Sequence, residues 1–407
     1  MNERRGGLRI LFLSRWFPYP ADNGSRIRII NLIRRLSARH QVHLISFSSE
    51  RVPPEHLAMM RQYCARVDVV PYEPFRPRGL KALAGYFSLR PRSVLATYSA
   101  QLQSCVKQVA RASSIDLVIA SQIDMALYPL ALPGVPRLLE ELEVTTVYDE
   151  YARQSAPLQR ARGRLTWWKL SRYVAELLPA YQGCTAVSQL ECERIRSAVP
   201  SYDRLAVIPN GIDVCGLPRD LGAPAPDTLV YAGALSFPPN FRAIEFFLRE
   251  VFPLIRARRP NVRLLVTGRS DPATRARLPA ADGVVFTGYL DDVRPTIAGA
   301  WLSIVPLREG AGTRLKVLES LALGTPVVAT RKGAEGLDLC PGRDLLIADE
   351  PADFAAAVLR VLCDEELRQT LGQSGRQTVA AKYDWRMIGR DFCELVETVA
   401  GGQRGPR

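Results

Sequence analysis

The stretch PLREGAGTRLKVLESLALGTPVVAT, residues 306–330, sets two glycines, Gly310 and Gly312, directly ahead of Arg314, Lys316 and Glu319. Glycine lets backbone N–H groups come close to an anion, and a helix N-terminus turns the positive end of its dipole toward one. The apolar spacing predicts a helix from about residue 313 to residue 323, stopped by Gly324. Arg314 and Lys316 then fall in its first turn, where cations oppose the dipole unless an anion lies beside them. A phosphate or diphosphate resolves that conflict. Lys316 and Glu319 are three residues apart and share a face. A carboxylate so placed suits the paired hydroxyls of a ribose. A structural turn with solvated charges is the competing reading.

Such a loop needs a strand that delivers it, because open α/β sheets bind ligands at the carboxyl ends of their strands. Residues 302–306 read as that strand. The same grammar runs through the chain. Residues 9–14 (RILFLS) form an apolar run suited to a strand buried on both faces. A loop with Pro18, Pro20, Asp22, Asn23 and Gly24 follows, and Ser25 is expected to cap a helix carrying Ile29, Ile30, Leu32, Ile33 and Leu36 at helical spacing. Residues 42–47, 116–120 and 184–187 read as further strands, and Ser188 with Glu191 as a capping box. The series restarts after residues 205–209 and the turn Asn210-Gly211. Strands are expected at 229–232, 263–267, 284–287, 302–306 and 325–329. Alternation of this kind builds parallel sheets, here in two α/β domains joined near 205–215. A last helix over 385–399 is expected to cross back to the first domain, and the tail GGQRGPR to be disordered.

The chain has 407 residues and a formal net charge of +13, which favours anionic partners without choosing among them. The eight cysteines form no Cys-x-x-Cys pair and there are three histidines, so neither a zinc site nor a disulfide framework is expected. Scattered cysteines fit a reducing cytosol. The apolar run 10–13 is too short for a signal peptide, and no window reaches the roughly 18 apolar residues of a membrane span.

With these elements in place, GAGTRLKVLESLALGTPVVAT, VIPNGID (207–213), LVYAGALSFPPN (229–240) and VVFTGYLDDV (284–293) together resemble the nucleotide-sugar-dependent glycosyltransferases of family 4. The opening ILFLSRWFPYPADNGSRIRIINLIRRLS is similar to that family's first strand, loop and helix. The resemblance covers nearly the whole chain. It implies the α/β fold called GT-B, two facing Rossmann-like domains with a cleft between them. Residues 1–207 would bind the acceptor, with the helix 385–400 packing back on that domain, and residues 208–384 would bind the donor.

Residue by residue, the resemblance implies that Gly310, Gly312, Thr313, Arg314 and Lys316 hold the donor diphosphate. Gly233 would line the donor site after the domain's first strand, and Gly24 would approach from the acceptor domain. Glu319 matches the second glutamate of the family's Glu-x7-Glu motif, which binds the ribose. The first glutamate does not align, because eight positions back stands Ala311. Glu309, on a slightly longer loop as in GAGTRxK variants of the family, is expected to meet the donor sugar. Glu309, Arg314 and Lys316 are therefore the expected catalytic set. Two departures stand out. Many relatives carry an Arg and a Lys after the first donor-domain strand, where this chain has Ala234 and Pro239. Arg314 and Lys316 are expected to supply that charge. Many relatives also place a histidine after the strand that reads DLVIA here, where Ser121 and Gln122 stand, while His40, His43 and His56 lie elsewhere, His40 and His43 flanking the second strand and reading as structural.

The implied reaction moves a sugar from a nucleotide-diphosphate sugar to an acceptor hydroxyl, with retention and without metal or other cofactor. No Asp-x-Asp pair lies near a strand end, and Asp291-Asp292 is expected to cap a helix from Val293. The expected partners are the nucleotide-sugar donor and a saccharide or lipid-linked saccharide acceptor in cell-surface polysaccharide or glycolipid assembly. Between Tyr151 and Tyr181 the chain sets Arg153, Arg160, Arg162, Arg164, Lys169 and Arg172 among Trp167, Trp168, Leu170, Tyr173, Leu177 and Leu178. That pattern suits an anionic membrane surface, and equally a helix with a solvated basic face. The first would make a cytoplasmic protein peripheral on the inner membrane face. Glu140, Glu141, Glu143, Asp149 and Glu150 follow a strand in the first domain. They read as a solvated loop, with Glu141 and Glu143 the weaker candidates for facing an acceptor hydroxyl.

Rival readings are a nucleotide-sugar epimerase, a non-catalytic nucleotide-sugar-binding protein and a basic nucleic-acid binder. The last lacks an identifiable recognition module, so no nucleic-acid partner is expected. A nicotinamide-dependent dehydrogenase is disfavoured because no Gly-x-Gly-x-x-Gly follows the first strand.

Overall fold

Ile10, Leu11, Phe12 and Leu13 are all fully buried, as a strand covered by helices on both faces requires. They lie in β1 (Arg9–Ser14), the middle of a parallel sheet. The computed structural model describes residues 7–72, 88–154, 156–218, 222–310 and 312–402. Within it the chain divides into two units, residues 1–210 with 388–407, and residues 211–387.

The first unit's sheet comprises β1, β2 (Gln41–Ser48), β3 (Arg66–Pro71), β4 (Leu117–Ser121), β5 (Arg137–Glu140), β6 (Gly183–Ala186) and β7 (Leu205–Val207) in the order β3-β2-β1-β4-β5-β6-β7. Strand order reverses between β1 and β4, and it is outside the carboxyl ends at such a reversal that open sheets take ligands. Helix α1 (Gly24–Ser37) follows β1 and buries Ile29, Ile30, Leu32, Ile33 and Leu36. Its cap is Asn23, whose side chain accepts the Arg26 N–H at 3.1 Å, and not Ser25; Gly24 is its first helical residue. Helices α2 (Thr145–Arg153), α3 (Pro157–Leu177) and α4 (Gln189–Ala198) complete the elements used below. Half of the expected capping box forms at α4. Ser188 Oγ accepts the Glu191 N–H at 3.2 Å, but the Glu191 carboxylate accepts the N–H groups of Val144 and Thr145 at the start of α2 instead of returning to Ser188.

The second unit repeats the plan with β8 (Ala225–Ala232), β9 (Arg263–Thr267), β10 (Val284–Gly288), β11 (Ala300–Val305), β12 (Val327–Ala329) and β13 (Leu346–Ile347), in the order β10-β9-β8-β11-β12-β13. Its reversal lies between β8 and β11. Phe247, Phe252 and Phe354 pack edge to face or tilted in its core, with ring centroids 5.8 and 5.9 Å apart. Helix α5 (Pro238–Phe246) follows β8, and α6 (Leu315–Ala322) follows β11. Helix α6 is shorter than its spacing suggests. Arg314, at φ −80° and ψ 62°, is the residue before the helix and not part of its first turn. The helix expected from Val293 begins at Arg294, with the Asp292 carboxylate accepting the Arg294 N–H at 3.0 Å. The last helix, α7 (Trp385–Ala400), runs from one unit into the other along the chain, residues from 388 onward grouping with the first unit. Residues 403–407 of the tail and Ala311 lie outside the described residues.

Candidate active site

In the second unit, the polypeptide leaves β11 at its carboxyl end and turns back through Gly310 and Gly312, at φ 94° and 84°, values that side chains rarely tolerate. Arg314 closes this loop. Its Nη2 donates to the Gly310 carbonyl at 2.8 Å, its Nε to the Lys332 carbonyl at 3.2 Å, and the guanidinium lies 3.8 Å from the Glu335 carboxylate. Only 6% of the side chain is exposed. Its charge is thus held inside the fold by carbonyls and one carboxylate, which differs from the expectation of a cation standing on a helix turn against the dipole.

Lys316 is a half-buried residue whose ammonium end is enclosed. Nζ donates to the Tyr231 hydroxyl at 2.9 Å and to the Asn240 side-chain carbonyl at 2.9 Å, and it lies 4.2 Å from the centre of the Tyr231 ring. Tyr231 in turn donates to Asn240 Oδ1 at 2.8 Å, and Asn240 Nδ2 donates to the Ala234 carbonyl at 2.9 Å. Burial, and secondarily the Arg314 charge, lower the Lys316 pKa to about 7. Gly233, at the end of β8, makes room for this group. A Cβ there would stand 2.8 Å from both Lys316 Nζ and Asn240 Nδ2. So the ends of β8 and β11, the two strands at the reversal, bring Gly233, Gly310, Arg314 and Lys316 into one cationic cluster. Burial raises the Glu319 pKa, with the Arg294 guanidinium pulling it down and Asp292 adding to the rise. Glu309 is ion-paired with Arg242 on α5. Its carboxylate is therefore already engaged, a partner that sequence reasoning did not supply.

Sequence reasoning also passed over Tyr231 and Asn240. The signal was present, since both belong to LVYAGALSFPPN. As neutral side chains, Tyr231 and Asn240 carry no charge pattern that marks them as partners of Lys316.

In the first unit, a second polar group gathers at the carboxyl ends of β4 and β5. Arg28, fully buried on α1, donates through Nε to Glu140 at 2.5 Å and through Nη1 to the Pro209 carbonyl at 3.1 Å and Asn210 Oδ1 at 3.2 Å. Glu140 accepts also from Ser121 Oγ at 2.7 Å. Glu140 closes β5 and is fully buried, so the expected solvated loop is overturned there. Arg28 pairs with one of its oxygens and the Ser121 hydroxyl satisfies the other, the partners a buried carboxylate requires. Glu141 accepts from Gln122 Nε2 at 3.0 Å and lies 3.9 Å from Arg28. Burial, partly offset by Arg28 and reinforced by Glu140, raises its pKa to about 7. Gln122 Nε2 is 3.4 Å from Ser25 Oγ, beside Gly24 at the start of α1. Among the described residues no group of three or more His, Cys, Asp or Glu is placed to hold a metal ion.

Two family models match the chain, Glycosyltransferase Family 4 over residues 22–214 and the group 1 glycosyl transferases over residues 226–364. A GDP-mannose-dependent monoacylated alpha-(1-6)-phosphatidylinositol monomannoside mannosyltransferase from Corynebacterium glutamicum is 27% identical over 53% of this chain and 61% of its own length. A phosphatidyl-myo-inositol mannosyltransferase from Mycolicibacterium smegmatis is 30% identical over 48% of this chain and 52% of its own. The chain thus spans about half to three fifths of these curated relatives. A sucrose-phosphate synthase from Thermosynechococcus elongatus superposes with a TM-score of 0.69 at 21% identity, covering 97% of this chain and 100% of its own, a likeness of fold.

Two substitutions test this geometry. Arg28→Ala leaves Glu140 buried without its partner and is expected to cost roughly 3–5 kcal/mol in denaturant unfolding, with part recovered by adding Glu140→Gln. An unchanged midpoint would show that the pair is not a buried charge pair. Gly233→Ala is expected to displace the Lys316 ammonium from Asn240 and weaken binding of a nucleoside diphosphate at least tenfold, read by calorimetry, while changing the melting temperature little.

Proposed function

The chain belongs to the family 4 glycosyltransferases, and from that premise we propose that it transfers a sugar from a nucleotide-diphosphate sugar to an acceptor hydroxyl, with retention of configuration. The observation that carries this reading is the cluster at the reversal of the second sheet. There Lys316 and Arg314 are fixed within the fold beside a glycine loop and the N-terminus of α6. In this reading residues 208–384 are the donor side and residues 1–207 the acceptor side.

As the anomeric carbon–oxygen bond to the diphosphate breaks, charge gathers on the leaving phosphate. A cation already oriented by Tyr231 and Asn240 meets it without reorganising at the moment of reaction. Arg314 holds the Gly310 carbonyl and so keeps the glycine loop in its anion-accepting form. Glu319 takes the ribose hydroxyls. Glu309, steadied by Arg242, orients the donor sugar. The leaving-group charge is met by these side chains rather than by a metal, so activity is expected to survive chelation by EDTA.

The acceptor is proposed to be a saccharide or lipid-linked saccharide in cell-surface polysaccharide or glycolipid assembly. Two of the relatives are named for phosphatidylinositol-based acceptors. Helix α3 supports a membrane-facing role. Leu158 is 84% exposed and Trp168 47% exposed, on a helix whose Arg160, Arg162, Arg164 and Arg172 are also exposed. Trp167 packs instead against Tyr148, with centroids 5.2 Å apart, and Lys169 and Leu170 are buried. No helix among the described residues is long and apolar enough to cross a membrane.

Lys316→Ala is expected to lower kcat/KM about 10²- to 10³-fold without unfolding the protein. Unchanged transfer kinetics would remove the role given to Lys316, and tight nucleotide-sugar binding with no turnover by the wild type would favour the non-catalytic reading. Flotation with vesicles containing anionic lipid is expected to show binding that weakens with salt and falls on replacing Trp168 and Arg164 by alanine and glutamine. Indifference to lipid charge would contradict the membrane-facing role of α3.

A further inference from the structure

Two residues other than glycine at the strand ends of the first sheet have left-handed backbones, Gln122 at φ 71° and Glu141 at φ 56°. They follow neighbouring strands, β4 and β5, and their side chains are bonded to each other at 3.0 Å. The backbone around them is tied down. The Gln122 N–H donates to the Glu140 carbonyl at 2.8 Å, and the Glu141 N–H to Thr185 Oγ1 at 3.0 Å. Glu141 keeps 12% of its side chain exposed, so the pair has an opening. Behind it stands Arg28, with Nε and Nη1 bonded and Nη2 buried without a hydrogen-bond partner. A buried donor left unpaired beside a carboxylate is costly unless an oxygen arrives to meet it.

We infer that Gln122 and Glu141 form a recognition pair for adjacent hydroxyls of a neutral saccharide, and that this subsite turns away phosphorylated sugars. The inference rests on the reading of the first unit as the acceptor side. A carboxylate accepts hydrogen bonds, and a carboxamide both donates and accepts, so the two together match a pair of vicinal hydroxyls. Ser25 Oγ, 3.4 Å from Gln122 Nε2, adds a third group at the head of α1. The charge balance sets the exclusion. Arg28 is the cation facing Glu141, and it is already engaged by Glu140 at 2.5 Å. Glu140 and Glu143 add negative charge around Glu141. A phosphate brought here meets the carboxylates of Glu140, Glu141 and Glu143, while the guanidinium of Arg28 is buried behind them and paired with Glu140, so its unpaired Nη2 serves a neutral oxygen without offering a net positive charge. Burial raises the Glu141 pKa and Arg28 lowers it in part, and its two oxygens are placed to accept from neighbouring hydroxyls.

Saturation-transfer NMR on the full chain tests the inference, with neutral methyl hexosides as probes and the corresponding hexose 6-phosphates as controls. The expected result is binding of at least one methyl hexoside, at least tenfold stronger than that of its phosphate. Glu141→Ala and Gln122→Ala should each weaken it at least tenfold. Glu141→Gln, which keeps an accepting oxygen and sheds the charge, should retain the hexoside and admit the phosphate. Equal binding of both forms overturns the inference, as does hexoside binding untouched by Glu141→Ala or no hexoside bound at all. Melting curves and calorimetry with UDP and GDP on each variant keep two failures apart. Variants that remain folded and bind nucleotide as the wild type does isolate this subsite, whereas a wild type that binds no nucleotide sinks the transferase reading instead.

Discussion

An ammonium group that is enclosed by protein must be paid for by its neighbours, and the second unit is organised around doing so for Lys316. Desolvation favours the neutral amine, and Arg314 nearby pushes the same way. The Tyr231 hydroxyl, its ring face and the Asn240 carbonyl offset part of that cost without cancelling a full charge. The outcome is a cation held close to its own neutralisation, which an arriving anion would restore. Gly233 exists in this arrangement to leave space for the ammonium, and the glycine loop with Arg314 to frame it.

The first unit solves the opposite problem with the same means. Glu140 is accommodated in the interior with Arg28 and Ser121 completing its hydrogen bonding. Glu141, one residue further on, lies farther from Arg28, and burial raises its pKa. In both units the chemically exposed group lies at the carboxyl ends of strands flanking or adjoining the reversal in strand order, where the sheet's own geometry opens a crevice.

Most of the architecture could be read from the chain because buried parallel strands are continuous apolar runs, as residues 10–13 and 302–305 show, and because turn residues punctuate them. What could not be read depends on distant partners. Glu140 looks like a solvated carboxylate until Arg28, 112 residues away, is placed against it. Glu191 looks like the second half of a capping box, yet the N–H groups at the start of α2 claim it. Asn23 and Ser25 are both competent caps, and only the path of the loop chose the first. Strand β13, with two residues, carries too little pattern to be seen. At the cluster beside the glycine loop of the second unit, the glycines, Arg314, Lys316 and Glu319 were legible as a group, whereas the inward fold of Arg314 and the capture of Glu309 by Arg242 were not.

The central claim is that Lys316 is a suppressed cation awaiting a diphosphate, and its protonation reports on that directly. With a pKa lowered on folding from 10.5 to about 7, Lys316 contributes stability that is present at high pH and lost as the pH falls through 7. Bound diphosphate should reverse the shift, so binding above pH 7 must take up a proton. Calorimetry of UDP or GDP binding at pH 8.5, in buffers of different ionisation enthalpy, measures that uptake. Uptake should approach one proton and be absent in Lys316→Met; binding of undiminished strength with no proton taken up would contradict a suppressed Lys316 cation.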